Sequence, residues 1–190
     1  MRSDNQQHDR FFELLEPELP RLQAFCRKLA GDPEMGDDLM QDALYDAWKG
    51  FGQLRQTTSF KSWLYRITVY RYRTNLRKFR KRAESTLPLT DDVVDDRQLR
   101  QQLARNRLNI AMASLSAKDR ALVTLHELEG WSYAELATTF GKSEGALRAR
   151  LTRCRRRMQE TLRRYLEKTD DDLNRMGARK ECIVAKQKRS

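Results

Sequence analysis

Apolar residues recur along this chain at three- and four-residue intervals, the spacing that lines one face of an α-helix. Leu15, Leu19, Leu22, Cys26 and Leu29 make the first such stripe, and Gly31 should stop it. Asp32 then reads as an N-cap and Pro33 as the first residue of a second helix, which runs to about Lys49 ahead of Gly50 and Gly52. Its buried face is Met35, Leu39, Met40, Ala43, Leu44 and Ala47. Ser59 reads as the cap of a third helix with Phe60, Trp63, Leu64 and Ile67 as its core stripe. A less regular helix over Asp96 to Ser114 turns Leu99, Leu103, Leu108, Ala111 and Met112 inward. Ser116 caps another, through Glu129, that Gly130 ends. Ser132 and Glu135 form a capping box ahead of a short helix with Leu136, Ala137 and Phe140 apolar, and Gly141 closes it. Ser143 caps the last, which carries Leu147, Leu151, Cys154 and Met158 on one side. The expected fold class is all-α: two small helical domains, the second with a helix-turn-helix, joined by a flexible linker.

Length and charge sharpen this picture. A chain of 190 residues with 39% hydrophobic content supports two small cores and rules out a large catalytic barrel. No apolar run reaches the roughly 18 residues of a membrane span, and Met1 to Arg10 is polar with no signal-peptide core, so a cytoplasmic location is expected. Cys26, Cys154 and Cys182 are too scattered for a disulfide framework or a zinc knuckle. The net charge of +11 favours an anionic partner, with nucleic acid the leading candidate. Eleven Lys and Arg but no acid fall between Ala47 and Ala83, and nine more lie in Lys142 to Arg164 against Glu144 and Glu160. Between the two clusters, Glu84 to Asp96 carries Pro88 and four aspartates and reads as linker. The expected organisation is thus a first domain over 8–83, a linker over 84–98, a second domain over 99–166, and a polar, partly disordered tail over 167–190.

Three constellations carry candidate chemistry. On the second helix, Asp37, Asp38, Gln41, Asp42, Tyr45 and Asp46 form an acidic stripe opposite the buried face. It could be a solvated surface, a metal site or a docking face for a basic protein. With no His beside it the metal reading is weak, and DNA would be repelled, so docking is favoured over metal. On the third helix, Tyr65, Arg66, Tyr70, Arg71, Tyr72, Arg73, Asn75, Arg77 and Lys78 mix rings, guanidinium groups and an amide. Aromatic rings stack on unpaired bases while cations follow phosphate, so the functional reading is capture of a single strand, against a plain core role that holds for Phe60 and Trp63. For Tyr70 and Tyr72 the two readings balance. In the second half, small Ala137, Gly141 four residues on and Leu147 six further make the spacing of a helix-turn-helix. Its last helix projects Gly145, Arg148, Ala149, Thr152 and Arg156 away from the core with Arg153 and Arg155 beside them, and Arg148 is the leading base-contact candidate. Cys26 reads as a buried small residue and His126 as an ordinary helix histidine, so no metal, cofactor or catalytic residue is expected.

Taken together, these segments resemble the bacterial RNA polymerase sigma factors of the extracytoplasmic-function type over about Phe11 to Arg164. Three runs carry the likeness: Asp37 to Leu44; Ser59 to Ile67; and Trp131 to Ala137 continued by Gly145 to Leu151. The resemblance implies that the acidic helix grips the clamp helices of the beta-prime subunit of core polymerase, with the beta flap a further contact. It implies that Arg66, Tyr70, Arg71, Arg73, Asn75, Arg77 and Lys78 hold the opened minus-ten element. Lys142, Ser143, Glu144, Arg148, Thr152, Arg153 and Arg156 would read the minus-thirty-five element as duplex. It further implies promoter DNA and an anti-sigma factor as partners, the latter able to retain the protein at the inner membrane, and no enzymatic activity. Tyr70 stands where the family commonly has Asn, Thr74 where Asp is frequent, and Ala146 where Thr is usual. An ordinary dimeric helix-turn-helix regulator and a metal-dependent nuclease using Asp38, Asp42 and Asp46 are the competing readings; no apolar dimer face is visible for the first.

Overall fold

The computed structural model describes residues 2–54, 56–85 and 96–187 of the chain, with side chains from residue 6 to 169 except at 55, 58, 77–96, 98 and 99. All regular structure among them is helical: α1 (Arg2–Leu15), α2 (Leu19–Ala30), α3 (Pro33–Gly50), α4 (Phe60–Ser85), α5 (Asp96–Ala113), α6 (Ala117–Val123), α7 (Tyr133–Phe140) and α8 (Glu144–Gln187). The linker read over 84–98 falls largely on residues 86–95, outside the described residues.

The caps follow the sequence closely. Asp32 accepts a 2.9 Å hydrogen bond from the Met35 amide, with Pro33 in the first turn. Ser116 accepts from Asp119, and Ser132 with Glu135 closes a reciprocal capping box. Ser143 accepts from the Ala146 amide at 3.3 Å and so starts α8. Ser59 behaves differently: it ends a single 3₁₀ turn and its hydroxyl donates to the Gln56 carbonyl at 2.7 Å. The first apolar stripe is also split. Pro17 lies in a 3₁₀ turn over Glu16–Glu18 and Pro20 opens α2, so Leu15 closes a separate helix, α1, that the polar N-terminus does not announce. Proline lacks the N–H an interior turn needs, which is why one helix does not run through.

The backbone gathers into two compact units, one of residues 1–93 with 115–154 and one of 94–114 with 155–190. The helix-turn-helix shares the first unit with α1–α4. In the first unit α2 and α3 pack at very short range: a Cβ on Gly36 would lie 2.4 Å from the Arg27 Cα. Leu22, Phe25, Cys26, Leu29, Met35, Leu39 and Ala43 are buried there. Phe11 adds an aromatic knot, with its ring 5.1 Å from Phe51 and 5.3 Å from Trp48. Leu115, Ala121, Leu122, Leu125, Leu136, Leu147 and Leu151 are buried among the helix-turn-helix segments. After α6 the chain continues as a wide turn over Thr124–Leu128 before Gly130, and His126 bonds the Trp131 carbonyl at 2.8 Å.

The second unit holds α5 and the later part of α8. Leu103 and Leu108 are 46% and 43% exposed, against the expectation that they face inward. They are five residues apart, about 140° round a helix, so they lie at the opposite edges of any stripe they share. The backbone over 167–187 is helical, where a partly disordered tail was expected. Pairs one turn apart support that helix: Arg163 binds Glu167 at 2.7 Å and Arg164 binds Glu160 at 2.9 Å, and no proline interrupts it.

Candidate nucleic-acid and docking surfaces

The outer face of α3 is braced from both sides. At its start Asp37 takes two bonds from Arg27, at 2.8 and 2.7 Å, and one from Gln23 at 3.2 Å. The Arg27 guanidinium holds the Asp37 carboxyl below the usual carboxylate range. At its end Asp46 takes a two-pronged bond from Arg71 of α4, which lowers its pKa in the same way, and Asp42 accepts from Asn75 at 2.9 Å. Asp38, Gln41, Asp42 and Tyr45 are exposed. Tyr45 is 57% exposed and Lys49 lies over its ring at 4.3 Å. The acids thus divide: Asp37 and Asp46 lock α3 to α2 and α4, while the residues between them face outward. No three His, Cys, Asp or Glu converge as a metal site among the described residues.

The structure also divides the aromatic and basic residues of α4. Tyr72 is fully buried and its hydroxyl accepts from Arg120 at 2.7 Å. Tyr65 is buried between Phe25 and Trp131. Tyr70 is 56% exposed, with the Arg73 guanidinium 5.2 Å from its ring centre. Of the two tyrosines whose roles balance in the sequence, Tyr72 is core and Tyr70 remains a surface ring. Arg71 and Asn75 spend hydrogen bonds on α3, so they join the two surfaces. Arg66 donates to the Thr138 and Thr139 carbonyls at 2.7 and 3.0 Å. The side chains of Arg77 and Lys78 lie outside the described residues.

On the helix-turn-helix, Gly141 takes the left-handed conformation (φ 62°) that favours glycine, and its amide closes α7 on the Ala137 carbonyl at 2.9 Å. The turn lets Leu147, Leu151 and Cys154 face inward, all under 5% exposed. Lys142, Ser143, Glu144, Arg148, Thr152, Arg153 and Arg156 are all exposed. Two residues outside the expected set matter here. Tyr133 supports Arg148, whose guanidinium lies 4.5 Å from the ring centre, while Glu144 stands 3.6 Å away one turn back. Arg150 bonds Asp119 at 2.6 Å and ties α8 to α6. Burial raises the Asp119 pKa, but its bonds from Ser116 and Arg150 outweigh that and leave it lowered. The sequence reading gives Arg150 no role, and no spacing rule finds the Tyr133 partner across the turn. Burial, helped by Asp119, pushes the Cys154 thiol up to about 11, and burial does the same in direction for Cys26, so neither is a ready nucleophile.

This is the geometry of a helix-turn-helix DNA-binding protein with a second basic helix braced on an acidic one. Residues 14–83 match Sigma-70 region 2, and residues 105–158 match Sigma-70, region 4. The chain is 33% identical over 162 residues to the ECF RNA polymerase sigma factor SigM of Mycobacterium tuberculosis, covering 84% of this chain and 79% of that one. It is 33% identical over 148 residues to the ECF RNA polymerase sigma factor SigF of Caulobacter vibrioides, covering 76% and 80%. Among solved structures, the sigma factor RpoE in complex with the anti-sigma factor NepR from Bartonella quintana aligns with a TM-score of 0.55 at 26% identity, over 80% of this chain and 96% of that one. CnrH in complex with the cytosolic domain of CnrY aligns with a TM-score of 0.56 at 21% identity, over 80% and 86%, a likeness of fold. The chain belongs to the extracytoplasmic-function sigma factors, transcription initiation proteins that direct RNA polymerase to promoters. Among the described residues, no helix is long and apolar enough to cross a membrane.

Proposed function

We propose a division of labour among the three surfaces of this sigma factor. The outward residues of α3, Asp38, Gln41, Asp42 and Tyr45, grip the clamp helices of the beta-prime subunit, with Asp37 and Asp46 holding the helix in place. Tyr70, Arg73 and Arg66, with Arg77 and Lys78 further along α4, hold the opened minus-ten strand. Arg148 reads a base pair of the minus-thirty-five element while Lys142, Ser143, Thr152, Arg153 and Arg156 fix phosphates, Glu144 orients Arg148, and the same domain meets the beta flap. Residues 8–83 and 99–166 act as two domains across the 84–98 linker when polymerase holds them apart. The protein acts in the cytoplasm without catalytic chemistry of its own. An anti-sigma factor, able to retain it at the inner membrane, controls it, as the anti-sigma partner named for RpoE suggests.

The observation that carries this reading is the joint between α3 and α4. Asp46 with Arg71 and Asp42 with Asn75 fasten a carboxylate-rich outer face directly to a cationic one. Polymerase bound on the first surface would thereby set the position of the second. Two weak DNA modules gain from effective concentration only when a scaffold fixes their separation. Run-off transcription with purified core polymerase on a genomic fragment library tests the activity and yields the promoter motif. Free protein should bind those promoters weakly and the polymerase-bound form tightly. Equal, tight, sequence-specific binding without polymerase would overturn the reading. Asp42→Ala should weaken polymerase association and leave DNA intact, whereas loss of a magnesium-dependent DNA cleavage in that variant would favour a nuclease.

A further inference from the structure

Arg148 projects from the second turn of α8 with its side chain 63% exposed, a setting in which an arginine ordinarily samples many rotamers. Here it is held. Its guanidinium lies 4.5 Å from the centre of the Tyr133 ring, and the Glu144 carboxylate stands 3.6 Å from it one turn back. The two anchors come from different elements: Tyr133 opens α7 just after its Ser132 cap, and Glu144 opens α8. Among the described arginines of α8, Arg148 alone lies over an aromatic ring.

The ring is itself fixed from behind. Trp131, two residues before it, is buried; its amide donates to the Leu125 carbonyl at 3.0 Å and its carbonyl accepts from His126 Nδ1 at 2.8 Å. The reciprocal box of Ser132 and Glu135 sets the start of α7. His126, oriented by its bond to Trp131, packs its ring against Tyr133 with centres 4.6 Å apart and planes tilted by 42°. Tyr133 is therefore a half-buried ring touched by an imidazole and by the guanidinium of the proposed base-reading residue.

This kind of contact suits readout. Arginine stacks on aromatic faces by its own flat face, while its N–H donors lie in the plane at its edge. That edge is what pairs with O6 and N7 of a guanine. Glu144, at 3.6 Å, is beyond hydrogen-bond distance, so it steers the cation without capturing its donors.

We propose that Tyr133 is a positioning residue for sequence readout: its ring, backed by His126, holds Arg148 in the orientation that meets a guanine and so sets the base preference at one position of the minus-thirty-five element, not binding to DNA in general. The proposal rests on the reading of Arg148 as a base contact given above. An arginine already oriented loses less freedom on binding, and only the right base returns both of its bonds. Removing the ring therefore lowers affinity for the preferred sequence and does little at a sequence where Arg148 never makes its paired bonds. A cation over a ring at an exposed site corresponds to a ratio of about two- to fivefold.

The test uses the full chain bound to core polymerase. Promoter fragments recovered by run-off transcription, with the upstream element randomised, compete for polymerase carrying the parent or a variant. Sequencing the bound and unbound pools gives the preference at each base pair. Tyr133→Leu should narrow the preference at a single position, the one that Arg148→Ala also narrows, by about two- to fivefold. Tyr133→Phe, which keeps the ring, should hold the parental preference. In an Arg148→Ala background, Tyr133→Leu should change the preference no further, as for two residues acting through one contact. These ratios compare sequences within one sample, so partial unfolding of a variant lowers the total bound and leaves them unmoved. Suppose Arg148→Ala narrows the preference while Tyr133→Leu leaves it intact, or narrows it equally with and without Arg148, or Tyr133→Phe loses it too: positioning is then wrong and the base-reading arginine stands. If Arg148→Ala itself changes no position, the base reading fails and positioning falls with it.

Discussion

Replacing Gly36 by alanine adds one methyl group in the first turn of α3. Judged from helix propensity alone the change should help, since alanine is favoured over glycine by about 0.8–1 kcal/mol inside a helix. The packing of α2 on α3 reverses that expectation. The new methyl would lie 2.4 Å from the Arg27 Cα and 2.7 Å from both the Arg27 amide nitrogen and its Cγ. Carbon atoms rest about 3.5–4.0 Å apart, so the helices must separate by roughly 1 Å. Two of the three obstructing atoms are backbone, which no rotamer change can move aside. Overpacking costs about 1–3 kcal/mol, and with backbone atoms obstructing the methyl the upper part of that range applies, about 2–3 kcal/mol; subtracting the propensity gain leaves about 1–2 kcal/mol of net destabilisation. For a chain of this size that lowers the melting temperature by about 2–8 °C. Circular dichroism during thermal and urea unfolding measures it, with a lower urea midpoint and an unchanged slope expected. The function should suffer as well, because Arg27 is also the residue that pins Asp37 at the start of the face proposed to dock on polymerase. Retention on immobilised core polymerase should fall even at a temperature where the variant is fully folded. A melting temperature equal to or above that of the parent would refute the close approach of α2 and α3 and the bracing role built on it.

The remaining predictions address the DNA surfaces and pH. Arg148→Ala should reduce discrimination at one base pair of the minus-thirty-five element by about 1–3 kcal/mol, whereas Arg156→Ala should weaken binding to all sequences and flatten its salt dependence; competition binding of the polymerase-bound form separates the two, and equal sequence-independent losses would contradict the assignment. Tyr70→Ala should cost about 1–3 kcal/mol in affinity for opened promoter strand with little effect on melting, while Tyr72→Phe should cost about 1 kcal/mol of stability by removing the hydrogen bond its hydroxyl accepts from Arg120. Glu135, through its bond from Lys61 and against some burial, has its pKa lowered from 4.5 to about 2. Its folded value lies below its unfolded one, so the stability it contributes is full above pH 4.5 and is lost as pH falls toward 2. With its side chain 43% exposed, screening reduces this to about 1 kcal/mol. Glu135→Gln keeps the cap and removes the charge, so its deficit against the parent should be present at pH 7 and absent near pH 2; a constant deficit would contradict the linkage.

The parts of this molecule legible in the sequence are those decided within a few residues. Asp32 with Pro33, Ser116, the Ser132 and Glu135 box, and Gly141 each satisfy a local backbone need that their own side chain or lack of one can meet, and each does so in the structure. Ser59 shows where that rule fails, because a hydroxyl can also donate backward to close a 3₁₀ turn. The acidic face of α3 and the exposed face of the helix-turn-helix are visible as stripes. The use of Asp37 and Asp46 as braces is not, since their partners are Arg27 on one neighbouring helix and Arg71 on another.

The tyrosines of α4 show the same boundary most sharply. Tyr65 and Tyr72 are seven residues apart and so share a face, while Tyr70 lies about 140° round from Tyr65. Helical arithmetic alone therefore separates Tyr70 from the other two. It does not say which group is buried, because both faces of α4 carry rings and cations. That choice is made by Trp131 and Arg120, which arrive from the second half of the chain to cover Tyr65 and Tyr72. The number of rings α4 leaves exposed is therefore set by segments far away in the chain, and only Tyr70 of the three remains on the surface.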